Sequence, residues 1–353
     1  MKRRYVYFNI SLVVIALFLP CPFLEFGQYT QGRYTSVPEK RSILPQFKYA
    51  VPSFNELERF LKHFSRNYSF LASLYEVGKI RENENQEVFP IYNMVLSSGY
   101  SKPIIVFIGG LYASDLSSPL ALMESFSQMV TKTKILSRLR YAYAFKKQKK
   151  GQPIIWLRNM RKFREGKAVN LLHNFGSNFR VLSNSDNHYG GEEPFSELES
   201  RIIRDYILEL QGDIAAVFLL FSSSKNNALT YPHSNGVDNN SWIVQEQLAI
   251  NALRASEITS PESFSVTSTT EFEDAQGGRM DDWLLKTLPN SAVLNIQMNY
   301  TVKDEGLQKN LIRDVTKLVE NLVLQLYQDE HKHYYNYRRI LRRRSYKFPW
   351  KKI

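Results

Sequence analysis

One cysteine, Cys21, stands alone in 353 residues, so no internal disulfide can form and the core must be held by burial. Histidine is scarce. The six are His63, His173, His188, His233, His331 and His333, and none has a Glu or a second His at a spacing used by catalytic zinc sites. His331 and His333 flank Lys332 and read as solvent-exposed. No Gly-x-Ser-x-Gly elbow and no phosphate-binding glycine loop occur, which removes the usual signatures of serine hydrolases and nucleotide binding. Gly109-Gly110 and Gly190-Gly191 read as turns. The adjacent acids Glu192-Glu193 and Asp281-Asp282 point in different directions on one element and read as solvated pairs.

What is present begins with hydrophobic residues at 43%, enough for a packed core and too many for a disordered chain. The net charge of +12 is unevenly placed. Residues 131–168 hold 13 Lys or Arg against Glu165 alone, and the chain beyond Glu330 holds nine basic residues and no acid. Such blocks are either a solvated basic face or a surface for a polyanion or membrane. Lys2, Arg3 and Arg4 precede an apolar run from Tyr5 to Leu19, closed by Pro20 and Pro22. A charged start and a run this short read as a secretory signal peptide, or as a signal anchor if it stays uncleaved. Asn67, Asn239 and Asn299 head Asn-x-Ser/Thr sequons, candidate glycosylation sites in a lumenal chain.

The organisation follows. Residues 1–22 are the leader, 23–47 a linker, 48–330 one folded domain and 331–353 a basic, aromatic tail. Ser53 and Glu56 form a capping box for a helix in which Phe54, Leu57, Phe60, Leu61 and Phe64 recur at helical spacing. Strands are expected over 103–108, 153–157, 215–221 and 292–302, and helices over 119–130, 194–210 and 307–327. Alternation of these elements predicts an α/β domain, a mixed central sheet with helices on both faces.

Two segments carry a family resemblance. Tyr189-Gly-Gly-Glu-Glu-Pro-Phe-Ser-Glu-Leu-Glu-Ser200, then a buried strand, then Tyr231-Pro232, resembles the segment of zinc carboxypeptidases of the carboxypeptidase A type that leads into a zinc-binding His. Gly277-Gly-Arg-Met-Asp-Asp-Trp283 resembles that family's Gly-Gly-Ser-x-Asp-Asp-Trp. The opening helix and the strand-turn at Ile104–Gly110 fall in matching order, so the resemblance spans about residues 48–328.

The resemblance implies where an active site would lie. The family's His-x-x-Glu ligands match Leu111 and Ser114. Its third ligand, a His, matches Ser222, give or take one position, and neither Phe221 nor Ser223 supplies an imidazole either. The catalytic Glu matches Gln297 in an ungapped register, or Thr301 if Lys303-Asp304-x-Gly306 is aligned to Arg-Asp-Thr-Gly. Zinc needs electron-pair donors at three positions, and the attacking water needs a carboxylate to take its proton. These residues provide neither, so the resemblance implies a degenerate, inactive member with no zinc and no other cofactor, similar to inactive metallocarboxypeptidase-like proteins of fungi associated with vacuole, secretion or cell wall. Asn178 and Arg180, with Arg158 and Arg161, are the candidates for anion contact.

Three functions remain open on the sequence. The first is a secretory-pathway pseudoenzyme, secreted, vacuolar or ER-lumenal, that acts by binding a protein, a peptide or an anionic glycan or lipid. The second is a hydrolase with different chemistry in the same cleft, built from Ser222, Ser223, Ser224, Asp281 and His233. The third is a signal-anchored polyanion-binding protein. Nucleic acid is a poor partner for a lumenal chain.

Overall fold

The computed structural model describes residues 54–69, 72–81, 88–97, 104–111, 117–130, 140–145, 169–183, 186, 188–223, 226–232, 241–258, 264–269, 277–299 and 305–328. The chain divides into two compact units, Met1–Arg41 and Ser42–Ile353, and every described residue lies in the second. The leader, the linker, the tail, most of the 131–168 basic block and the strand expected over 153–157 lie outside the described residues.

The centre of the domain is an eight-stranded mixed sheet in the order β1-β2-β4-β3-β5-β8-β6-β7. Its strands are β1 (Ala72–Arg81), β2 (Val88–Ser97), β3 (Ile104–Ile108), β4 (Arg140–Phe145), β5 (Ile214–Ser223), β6 (Asn227–Tyr231), β7 (Phe264–Ser268) and β8 (Ala292–Asn299). The helices are α1 (Phe54–Asn67), α2 (Ser117–Met129), α3 (Leu198–Leu210), α4 (Ser241–Ala255), α5 (Met280–Thr287) and α6 (Glu305–Gln328). β4, β3, β5 and β8 run parallel to one another; β1 with β2, β2 with β4 and β6 with β8 pair antiparallel, and β6 pairs parallel with β7. The parallel strands are covered on both faces, which is why Ile104–Ile108 and Ile214–Phe221 read as continuous apolar runs rather than as alternation.

Strand alternation divides the interior into two cores. On one face Ala216, Phe218, Leu220, Leu294 and Ile296 pack with Leu61 and Phe64 of α1, Leu122 and Phe126 of α2, Ala249 and Ala252 of α4, and Val315, Leu318, Val319 and Leu322 of α6. On the other, Val217, Leu219, Phe221 and Val293 meet Ile203 and Ile207 of α3, Met280 and Leu284 of α5, and Leu172 and Phe175 of the segment before α3. α6 buries the apolar stripe expected of it, and α1 buries Leu61 and Phe64 while Glu58 and Lys62 pair at 3.2 Å beside Tyr92 of β2, whose hydroxyl donates to Glu58.

Some boundaries move. The helix expected from Pro194 begins at Leu198, because residues 190–197 are folded into a turn with Gly191 at φ 96° and Phe195 at φ 58°. β8 stops at Asn299, short of the expected 302. The hairpin of β1 and β2, and the short strands β6 and β7, form without having been singled out in the sequence.

Candidate functional site

The three strands at the middle of the sheet bring their carboxyl ends together, the place where open α/β sheets carry ligands. β3 ends at Ile108 and turns at once. Gly110 has φ 69°, a conformation costly for any side chain, and its N–H donates to Ser118 Oγ at 2.9 Å, which ties the turn to the start of α2. Gly109 approaches α2 so closely that a Cβ there would lie 2.7 Å from Leu122 Cδ1. Leu111 follows, 2% exposed, in the apolar core with Ile108, Phe175 and Phe221.

β5 and β8 are in parallel register, Phe221 beside Gln297 and Ser222 beside Met298. Met298 belongs to the core under α4 and α6, so Ser222 shares that face, whereas Phe221 belongs to the core of Leu111. This corrects the placement of Ser222: it does not meet Leu111, because consecutive residues of a strand face opposite ways. Gln297 does lie on the Leu111 face. Ser114 and Thr301 lie outside the described residues, as do His233, Ser224, Arg158, Arg161 and Asn239.

On that same face sits a buried polar network that sequence reasoning read as solvated. Asp281 is fully buried. Arg279 donates to it through Nε at 3.0 Å and Nη2 at 3.1 Å, Thr269 Oγ1 at 3.1 Å, Asn295 Nδ2 at 2.7 Å, and the Asp282 N–H at 3.1 Å. Burial alone would raise the Asp281 carboxyl, but the Arg279 charge and the bonds from Arg279, Asn295 and Thr269 outweigh it and hold the group below its ordinary value. Asp282, beside it, is pushed up to about 7 by burial and by the Asp281 charge. The two adjacent acids thus take opposite protonation behaviour from their surroundings. Asn295 Nδ2 also donates to Thr230 Oγ1 at 3.0 Å, but among the described residues Asn295 Oδ1 has no partner, and Gln297 has none at either end of its carboxamide. Each such orphan costs about 1–3 kcal/mol.

The segment before α3 is fastened over this face by backbone contacts. The His173 carbonyl lies where a Cβ on Gly190 would come within 2.2 Å and one on Gly278 within 2.3 Å, so both positions need glycine. Phe175 N–H donates to Gly278 O and Gly278 N–H to Ser177 O, each at 2.8 Å. Asn174, buried, directs Nδ2 at Gly190 O, Glu193 O and Ser196 Oγ and accepts from the Glu197 N–H, which holds the 190–197 turn. The His173 ring is buried, with Nε2 3.1 Å from His188 Nδ1, and burial, Arg279 and His188 lower its pKa to about 3. The two histidines stand 15 positions apart in the sequence, outside any zinc-site spacing, and the pairing of Asn170 N–H with Tyr189 O brings their stretches together. Of the anion-contact candidates, Asn178 is exposed at φ 51° and accepts from Lys286 Nζ at 3.3 Å, and Arg180 is exposed. Asn67 is exposed at the end of α1, while Asn299 is half-buried and its N–H donates to Asn227 Oδ1.

Residues 57–310 match the zinc carboxypeptidase family. The chain belongs to that family. A carboxypeptidase B of Astacus astacus is 28% identical over 257 residues, covering 65% of this chain and 80% of that protein. In fold, this zinc carboxypeptidase relative is similar to carboxypeptidase A of Helicoverpa armigera, with TM-score 0.65, 14% identity and coverage of 88% of this chain and 82% of the other. It is also similar to bovine thrombin-activatable fibrinolysis inhibitor, with TM-score 0.62, 15% identity and coverage of 79% and 98%.

The family implies zinc, and the described residues do not fit it. Among them no group of three or more His, Cys, Asp or Glu is arranged to hold a metal ion. Leu111 has no donor atom and sits in hydrocarbon, Gln297 is uncharged, and the one close histidine pair lies beside the Arg279 guanidinium rather than a third ligand. Asp281 is a carboxylate, but its oxygens are taken by the Arg279 pair, Thr269, Asn295 and its own neighbour's N–H.

Proposed function

We propose that this chain is a catalytically inactive member of the zinc carboxypeptidase family that works by binding, in the secretory pathway. The single observation that carries the reading is the face at the carboxyl ends of β3, β5 and β8. There Leu111 and Phe221 form a continuous apolar surface, and the inward-facing residue of β8 is the neutral Gln297. Hydrolysis by the family's route needs a metal to acidify water and a base to take the proton. Apolar carbon and an amide offer neither. The alternative of a hydrolase built on Asp281 loses support, because the Asp281 oxygens already accept from Arg279, Thr269, Asn295 and the Asp282 N–H.

The binding partner in this reading is a protein, a peptide, or an anionic glycan or lipid, with the basic segments at 131–168 and 331–353 available for the last two. The leader and the exposed sequon at Asn67 support a lumenal or secreted setting.

The test uses the purified full chain. Metal is measured by mass spectrometry after equilibration with micromolar zinc and dialysis, and release of the C-terminal residue is followed on benzoyl-glycyl-phenylalanine and benzoyl-glycyl-arginine. The expectation is zinc well below one per chain and no release above buffer. Stoichiometric, tightly held zinc or trimming of either substrate would overturn the proposal.

A further inference from the structure

Asn295 and Gln297 are successive inward residues of β8, both fully buried, on the face shared by Leu111 and Phe221. Among the described residues, Asn295 spends its Nδ2 hydrogens on Asp281 and Thr230 and leaves Oδ1 unused, and Gln297 leaves Oε1 and Nε2 unused. The unmet capacity is therefore two acceptors and an amide donor, all neutral, stacked along one strand. The charges nearest on that face are closed on themselves, Arg279 against Asp281. The strand comes to the surface only two residues further, at the half-buried Asn299. Phe221 lies beside Gln297 in the neighbouring strand.

We propose that Gln297, with Asn295 behind it, is the recognition floor of a binding site for a neutral amide, a peptide bond or a primary carboxamide, rather than for a carboxylate. An amide presents one acceptor and one N–H donor in a plane, the complement of the Gln297 carboxamide. A carboxylate presents acceptors only and would leave Gln297 Oε1 and Asn295 Oδ1 facing negative charge. The inference rests on the binding role proposed above and names the ligand chemistry of that same site.

The probes are phenylacetamide and phenylacetate, which differ only in carrying a carboxamide or a carboxylate, titrated by calorimetry into the full chain at neutral pH. The amide is expected to bind, and the acid to bind about tenfold more weakly or worse, with Gln297→Leu reducing amide affinity by about tenfold while leaving the melting temperature unchanged or higher. Equal affinity for both probes, no binding of the amide at millimolar concentration, or an unimpaired Leu variant would overturn the proposal. If the Leu variant does not fold, the wild-type chain decides: the side-chain NH2 resonance of Gln297 must move as the amide is added, and an unmoved resonance sinks the idea. Zinc or peptide trimming would instead sink the functional reading whatever the probes do, whereas a metal-free, non-trimming chain that ignores the amide sinks this inference alone.

Discussion

Under α1, α2, α4 and α6 the strands present Leu74, Met94, Phe107, Phe218, Leu294 and Ile296, and packing is side chain against side chain at helical and strand periods. Under α3, α5 and the 169–197 segment the same strands present Thr230, Asn295 and Gln297 as well as Val217 and Val293, and closure depends on carbonyls, amides and glycines. The first face is held by area, which tolerates exchange of one hydrocarbon for another of similar volume. The second is held by direction, and a single missing partner leaves a buried polar group exposed to nothing.

That contrast can be broken by substitution. The largest expected effects are one on each face. Phe218→Ala should cost about 3–5 kcal/mol by cavity formation, while Phe218→Leu should cost distinctly less. Asp281→Ala should cost a similar amount, about 3–5 kcal/mol, because it strands the Arg279 charge in the interior, and here no smaller apolar residue should rescue it. Urea unfolding of the four proteins reads both. If a hydrophobic residue at 281 restores stability with Arg279 in place, the second face is not held by direction.

A smaller effect is expected at the glycines. Gly190→Ala should destabilise by about 1–3 kcal/mol because the His173 carbonyl must move, whereas Gly212→Ala, with nothing within 4 Å, should stay within about 0.5 kcal/mol by the same urea measurement.

The smallest effect carries a pH sign. Asp282 has its folded pKa raised from 3.8 to about 7, so the folded state holds that proton more tightly than the unfolded one. Its contribution is full below the unfolded pKa and is lost as pH rises through about 7. Asp282→Asn should therefore add on the order of 1 kcal/mol at pH 8 and little at pH 4. Asp281 runs the other way: its depressed carboxyl stabilises above the unfolded pKa and is lost as acid protonates it. An Asn variant at 282 that helps equally at both pH values would remove the opposition between the two neighbours.

The difference between the faces also decides what could be read in advance. The stripe of Leu311, Val315, Leu318 and Leu322 repeats every three or four residues, so α6 was legible, as were the apolar runs of β3 and β5. Asp281 carries no such mark. Its burial is created by Arg279, Thr269 and Asn295, two of which lie 12 and 14 positions away, and adjacent acids look alike whether solvated or enclosed. His173 and His188 likewise become neighbours only in the fold, where Asn170 N–H donates to Tyr189 O. Leu111 and Gln297, one of the two positions given for the Glu, lie on one face; Ser222, given with a tolerance of one position, lies on the other, because a strand reverses sides at every residue. The pattern Pro194-Phe-Ser-Glu suggested a helix start, but hydrogen bonds to Asn174 compete for that backbone and delay the helix to Leu198.

The clasp of Gly190 and Gly278 on one carbonyl has a consequence for the chain as it is made. A ribosome that has released residues up to about 270 has already delivered β5, α3 and Gly190, yet the clasp on the His173 carbonyl stays half made until Gly277 and Gly278 emerge. Until then the strand face destined for Arg279 and Asp281 stays open, and a nascent chain stalled there offers an uncovered surface to chaperones and proteases.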